Sequence, residues 1–188
     1  MENTIIRAPK DRNLFFYKQV TQESICDLTK KLIEIIDDDK QLVKNSHIMN
    51  YKYKPEPIKI FIDSYGGNCY QGLGLIPIIE NSTTPIHTIV TGSAMSMGFA
   101  ILISGHKRFA YKYSTPLYHQ VSSGFDGKVE DMKICLKETE RLQKILEDMT
   151  VKKTGISRKK LRNILKHKTD WFMSAEKALK LKVVDEIL

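Results

Sequence analysis

A serine within a run of small residues is the first feature of this sequence that could do chemistry. Ser96 follows the β-rich segment 86–90 and precedes the apolar run 99–104. This order predicts a strand, a tight turn at the serine and a buried helix. Gly92 and Gly98 leave space for a substrate backbone to approach the turn. The Ser96 hydroxyl is therefore a candidate nucleophile, although the same small residues are also typical of a helix packed closely on a sheet.

A nucleophilic serine needs a base to accept its proton and a carboxylate to orient that base. His119 directly follows the apolar segment 116–118. Asp170 is the first residue of the segment 170–175, which reads Asp-Trp-Phe-Met-Ser-Ala. Both residues have plainer interpretations. His119 is one of five histidines, and Asp170 could cap the helix that follows Ser174. Position in the sequence leaves these alternatives open.

Acyl transfer also needs hydrogen-bond donors for the developing oxyanion. The pair Gly66-Gly67 follows the strand predicted at 58–62. Glycine at these positions would let a substrate come close to the backbone, because no side chain stands in the way. A Gly-Gly pair is equally typical of a plain turn at the end of a strand.

Four segments, taken together and in order, resemble the ClpP family, the proteolytic subunits of the ATP-dependent Clp proteases. They are 60–67, the turn at Ser96, 117–120 and 170–175. The resemblance covers nearly the whole chain, and four matching segments at compatible distances are far more specific than a single serine turn.

The resemblance implies a role for each candidate residue. Ser96 is the nucleophile, His119 the base and Asp170 the orienting carboxylate, and the backbone N–H groups of Gly67 and Met97 form the oxyanion hole. The family holds its peptide as an added strand, which gives affinity through main-chain bonds. The residues that this implies for peptide binding are Asn68, Cys69, Ser122, Ser123 and Gly124. Neither a metal nor an organic cofactor is implied.

Strands alternate with helices along the chain, which predicts parallel β-α-β units packed in layers. The expected fold class is α/β, with ClpP/crotonase-like layers and a projecting handle helix. We predict a single domain over residues 1–188, with a lead-in at 1–13, a loop insertion at 38–57 and a handle region at about 124–155. In the ClpP family the matching helix belongs to the handle through which two rings meet.

The sequence also departs from the family. Tyr65 and Val121 stand where the family has proline, and Lys182 stands where it has glycine. The pair Lys168-Thr169 replaces an Asp-Arg pair that links the two rings. Only about a dozen residues precede the first predicted strand, so we expect the axial segment that contacts the ATPase to be largely absent.

Composition adds few constraints. The 188 residues carry a net charge of +8 and are 41% hydrophobic, which suits a globular protein. No apolar run approaches the roughly 20 residues of a membrane span. The N-terminal residues lack a signal-peptide core, and the three cysteines have no metal-ligand spacing, so we expect a cytoplasmic protein. Cations concentrate in 128–168, where interleaved acids favour a solvated helix face over a nucleic-acid partner, although the basic run 158–162 keeps that alternative open.

The sequence thus favours a self-compartmentalising serine endopeptidase that degrades unfolded proteins or peptides. We expect homo-oligomeric rings, heptamers that could stack as a tetradecamer, and a Clp-type ATPase partner. The departures at Tyr65, Val121 and Lys168-Thr169 favour an alternative, a ring subunit with a weak or inactive triad and a structural or regulatory role. A crotonase-type acyl-CoA enzyme is a third candidate, and the full Ser/His/Asp set argues against it.

Overall fold

The structure is a computed structural model that describes residues 11–48 and 53–188. Within these ranges strands and helices alternate for most of the chain. In chain order the elements are β1 Asn13–Phe16, α1 Gln22–Ile48, β2 Ile58–Ser64, α2 Cys69–Glu80, β3 Ile86–Met95, α3 Met97–Ser104, β4 Lys107–Ala110, β5 Thr115–Tyr118, α4 Val129–Lys153, α5 Arg158–Lys166, β6 Trp171–Phe172, α6 Ala175–Lys180 and β7 Glu186–Ile187.

The sheet is organised around β3. Strands β1, β2, β3, β4 and β7 lie side by side in that order, and all of these pairs are parallel. The last residues of β3 pair instead with β5, again in parallel, and β6 then pairs antiparallel with β5. Parallel strands connected through helices confirm the predicted α/β class.

Burial of apolar side chains holds the layers together. Ile58, Ile60 and Ile62 alternate along β2 and all face the core. On the neighbouring layer, every residue of α3 is buried. A helix enclosed on all sides cannot shift without opening a cavity, so its first residue, and the turn that precedes it, have a fixed place in the fold.

Helix α1 is longer than predicted. The loop expected over 38–57 is wrong for its first part, because α1 continues to Ile48. The buried positions Asp39 and Ser46 keep helical spacing but are polar, so the hydrophobic periodicity ends although the helix does not. Arg12 Nη1 donates to Asp39 at 2.9 Å and Thr84 Oγ1 donates to it at 2.7 Å. Residues 49–52 lie outside the described residues, and 53–57 have no regular structure.

The ends of the chain also differ from prediction. The β-branched pair Val183-Val184 favours a last strand, but both residues are buried outside regular structure, and the last strand, β7, follows them. Strand β6 was not predicted, because two residues carry no periodicity. Of the lead-in predicted at 1–13, residues 1–10 lie outside the described residues, and β1 begins at Asn13.

Helix α4 has two unlike halves. Its second half packs on the domain and buries Leu142, Glu147 and Thr150. Its first half carries apolar side chains that are exposed to solvent in the single chain: Val129, Met132, Ile134 and Leu136. Among the helices in the described ranges, none is both long and apolar enough to cross a membrane.

Candidate active site

Ser96 is a single turn residue between β3 and α3. Its backbone has φ 53° and ψ −119°, a left-handed conformation that residues with a side chain rarely adopt. The backbone is held on both sides, since Ser96 N donates to Leu117 O at 3.2 Å and Ala100 N donates to Ser96 O at 3.2 Å. The predicted strand, turn and helix are therefore present, with a turn of one residue.

The strand register places His119 and Asp170 opposite each other. In the antiparallel pair of β5 and β6, Leu117 faces Phe172 and Tyr118 faces Trp171, so the next pair in this register is His119 with Asp170. His119 Nδ1 lies 3.2 Å from Asp170 Oδ1. The imidazole is half-buried, whereas the Asp170 side chain is 61% exposed. The sheet itself thus brings the predicted base to its predicted carboxylate.

Ser96 and His119 line one small cavity. Its volume is about 20 Å³, and its other walls are formed by Phe99, Ala100, Tyr118, Val121, Leu146 and Thr150. Tyr118 is buried and meets Phe99 edge to face, with ring centroids 5.8 Å apart. Burial raises the pKa of the Tyr118 phenol to about 12, so the ring stays neutral. The cavity beside the serine is narrow, and most of its walls are apolar.

The Gly66-Gly67 turn lies directly beside the serine. Gly66 has φ 95° and Gly67 has φ 143°, both in the region that favours glycine. A methyl group at position 66 would lie 2.6 Å from Met95 O and 3.0 Å from Met97 N. The turn is held by an isolated bridge to Val20, whose N–H donates to Gly66 O at 2.8 Å.

The two predicted oxyanion residues therefore come from adjoining segments. Met97 is the first residue of α3, and its N–H is one of the donors that has no acceptor within the helix. Gly67 belongs to the turn packed against that helix start. Their backbone N–H groups remain predicted oxyanion donors.

The residues predicted to hold a peptide lie on two sides of this centre. Asn68 caps α2, with Oδ1 accepting from Gln71 N at 3.2 Å, and Cys69 is the first residue of that helix. Burial raises the pKa of the Cys69 thiol. Segment 122–124 is exposed and irregular, and Ser122 and Ser123 line a hollow of about 440 Å³ together with His119 and Asp170. Peptide binding by these residues remains a prediction.

One supporting residue was not predicted from the sequence. Gln143 on α4 accepts from Val121 N at 2.8 Å and donates to the Tyr118 hydroxyl at 3.1 Å. It thus contacts the chain on both sides of His119. The available signal was a glutamine at a half-buried position of an otherwise charged helix, which is too weak to single it out.

The fold and the site define a layered, parallel α/β protein that places a serine, a histidine and an aspartate where β3, β5 and β6 meet. A family model described as Clp protease matches residues 3–188. The chain is also 35% identical over 135 residues to the ATP-dependent Clp protease proteolytic subunit of Deinococcus radiodurans. That match covers 71% of this chain and 65% of the relative's length. The chain belongs to the Clp protease family, which confirms the resemblance seen in the sequence.

Proposed function

We propose that this protein is a serine endopeptidase of the ClpP type, in which Ser96, His119 and Asp170 form the catalytic triad. The observation that carries the proposal is the register of β5. Its parallel pairing with β3 brings His119 to the Ser96 turn, and its antiparallel pairing with β6 brings Asp170 to within 3.2 Å of His119 Nδ1. These two pairings support an arrangement of serine, histidine and aspartate of the kind that acyl transfer uses.

Each group has a defined task in this mechanism. The Nδ1–H group of His119 donates a hydrogen bond to the Asp170 carboxylate. The unprotonated Nε2 can then accept the proton of Ser96 Oγ. The oxygen attacks the peptide carbonyl, and the N–H groups of Gly67 and Met97 stabilise the oxyanion. The imidazolium then protonates the leaving amine. Water then hydrolyses the acyl-enzyme: His119 accepts a proton from the attacking water and donates it to Ser96 Oγ as the acyl group leaves.

The surroundings support a peptide as substrate. The hollow of about 440 Å³ beside segment 122–124 adjoins His119 and Asp170 and is open enough for an extended chain. Main-chain pairing along this segment would bind unfolded proteins with little sequence selectivity. Such an enzyme is tolerated in the cytoplasm only if its sites are enclosed.

Assembly into rings would supply that enclosure. The first half of α4 exposes Ile134 to 65% and Leu136 to 53% within the single chain. Neighbouring exposed apolar side chains on a projecting helix are typical of a surface that another protein covers. We therefore propose homo-oligomeric rings, heptameric and stacked in pairs, that work with a Clp-type ATPase.

The test is hydrolysis of a short fluorogenic peptide, measured together with fluorophosphonate labelling and mass by light scattering. We expect the wild type to cleave the peptide and to be labelled at Ser96, and Ser96→Ala to lose both at unchanged mass. Asp170→Asn should lower kcat by about 10⁴-fold, because the imidazole would be held in the wrong tautomer.

Two outcomes would overturn the proposal. A ring-sized wild type that is neither active nor labelled would identify a structural subunit. Labelling that persists in Ser96→Ala would place the nucleophile elsewhere.

A further inference from the structure

We propose that Gln143 is a positioning residue, whose side-chain amide holds the segments on either side of His119. The proposal rests on the proposed function for the role of His119. The hydrogen bonds themselves stand independently of that function.

The contacts of Gln143 enclose the histidine. Val121 N donates to Gln143 Oε1 at 2.8 Å, and Gln143 Nε2 donates to the Tyr118 hydroxyl at 3.1 Å. One residue of β5 and one residue of the following segment are therefore tied to a single side chain on α4. His119 lies between these two attachment points.

The chemistry of the contacts fixes the orientation of the amide. The N–H of Val121 requires an acceptor, which must be Oε1, and Nε2 then donates to Tyr118 and lies 3.4 Å from Glu147 Oε1. Glu147 is buried, and Arg158 Nη1 lies 3.6 Å from its Oε2. A glutamate in place of Gln143 would face this carboxylate and could not donate to Tyr118.

Val121 is the reason that such a contact can exist. A proline at position 121 would have no N–H to donate. A proline ring restricts the backbone covalently, because it fixes φ near −65°. Val121 lacks that restriction, and its N–H is bound by Gln143 instead. The hydrogen bond thus restricts the backbone without a covalent constraint, two residues after the proposed base.

The Tyr118 contact extends the same support toward the serine. Tyr118 is buried and packs against Phe99, which lies on the helix that begins directly after Ser96. Movement of Tyr118 would therefore disturb both His119 and the packing of α3.

A double-mutant cycle tests the proposal with wild type, Gln143→Met, Val121→Pro and the double variant. Gln143→Met keeps the length of the side chain but removes its three hydrogen bonds, to Val121, Tyr118 and Glu147. We expect it to lower kcat for the fluorogenic peptide about tenfold with little change in KM, since a misplaced base slows the chemical step. In the Val121→Pro background, Gln143→Met should lower kcat by a clearly smaller factor. Gln41→Met, at an exposed glutamine on α1, is the matched control and should have wild-type kinetics.

If Gln143→Met lowers kcat equally in the wild type and in Val121→Pro, the proposal is overturned. A rise in KM at constant kcat would overturn it as well. Amide hydrogen exchange at Val121, read by mass spectrometry on the assembled protein, is the second measurement. Gln143→Met should speed this exchange and leave the exchange of the β3 amides unchanged; unaltered exchange at Val121 refutes the contact. A wild type that neither cleaves peptide nor reacts with fluorophosphonate would defeat the proposed function, whereas the exchange result would still decide the role of Gln143.

Discussion

Gly66 and Ser96 are packed so closely that a methyl group at position 66 would lie 2.7 Å from Ser96 Cβ. The contact is between two turns that each require a left-handed backbone, with φ 95° at Gly66 and φ 53° at Ser96. The proposed nucleophile turn and the proposed oxyanion turn therefore cannot move independently.

Gly66→Ala should abolish peptide hydrolysis, or reduce kcat/KM by at least about 10²-fold, because the methyl group must displace the Ser96 turn. Gly74→Ala is the matched control, since nothing lies within 4 Å of a methyl group at that position on α2. It should keep full activity and raise the free energy of unfolding by about 0.5–1 kcal/mol. Full activity in Gly66→Ala would show that the two turns are not coupled.

Ser96→Gly and Ser96→Ala both remove the hydroxyl, and they differ only in the backbone conformations that they allow. The left-handed conformation at position 96 costs an alanine about 1 kcal/mol and a glycine almost nothing. We expect Ser96→Gly to unfold at a higher temperature than Ser96→Ala in calorimetry, with neither variant labelled by fluorophosphonate. The reverse order of melting temperatures would mean that the turn stores no strain.

Lys182→Gly should stabilise the protein by about 1 kcal/mol, because Lys182 follows the end of α6 with φ 54°, where glycine is favoured. The side chain is exposed, so little packing is lost. Lys180→Gly, within α6, provides the control and should destabilise the fold. Chemical denaturation of both variants measures the two effects, and a destabilised Lys182→Gly would contradict the argument.

Asp39 should make stability depend on pH. Burial raises the pKa of this carboxyl, but hydrogen bonds from Arg12, Thr84 and Tyr53 outweigh burial and hold the pKa below its ordinary value. A carboxyl with a lowered folded pKa contributes stability above its unfolded pKa of about 4, and that stability is lost as pH falls through the folded pKa.

We therefore expect Asp39→Asn to lower the free energy of unfolding by about 2 kcal/mol at pH 7 and to flatten its decline below about pH 4. Asp37→Asn is the control, because Asp37 is exposed and forms a surface ion pair with Lys40 three residues on. Thermal melts from pH 7 down to about pH 3 measure both variants. Parallel curves for wild type and Asp39→Asn would rule out this origin of acid sensitivity.

Ile134→Glu should lower the mass of the assembled protein without unfolding the chain. The residue is 65% exposed on the first half of α4, so a single subunit loses little buried surface when it is replaced. An interface between subunits would be destabilised far more, because the introduced carboxylate would be buried there without a partner. Light scattering measures the mass, and Lys137→Glu on the same half of the helix introduces the charge without removing an apolar side chain. An unchanged mass for Ile134→Glu would exclude this surface from the assembly.

Local segments of the sequence predict Ser96, His119 and Asp170 as the site, and this remains a prediction. The structure adds that His119 and Asp170 pair once β5 and β6 lie side by side. The pairing itself could not be predicted, because β6 is only two residues long and its register depends on contacts far apart in the chain.

The continuation of α1 shows a second limit. The helix beyond Asp37 buries Asp39, a charged residue whose presence in a core depends on a cation from before β1 and a hydroxyl from before β3. Hydrophobic periodicity cannot detect a helix whose inward positions are satisfied by hydrogen bonds. Gln143 was missed for the same reason, since its partners come from elements that precede α4.

The position of β6 after α4 and α5 has a consequence for synthesis. Translation releases residues in order, so Ser96 and His119 leave the ribosome well before Asp170 does. Until then β5 has no antiparallel neighbour, and the imidazole has no carboxylate at Nδ1. A nascent chain therefore lacks a complete triad for most of its elongation, and we expect the proposed activity to be confined to finished chains.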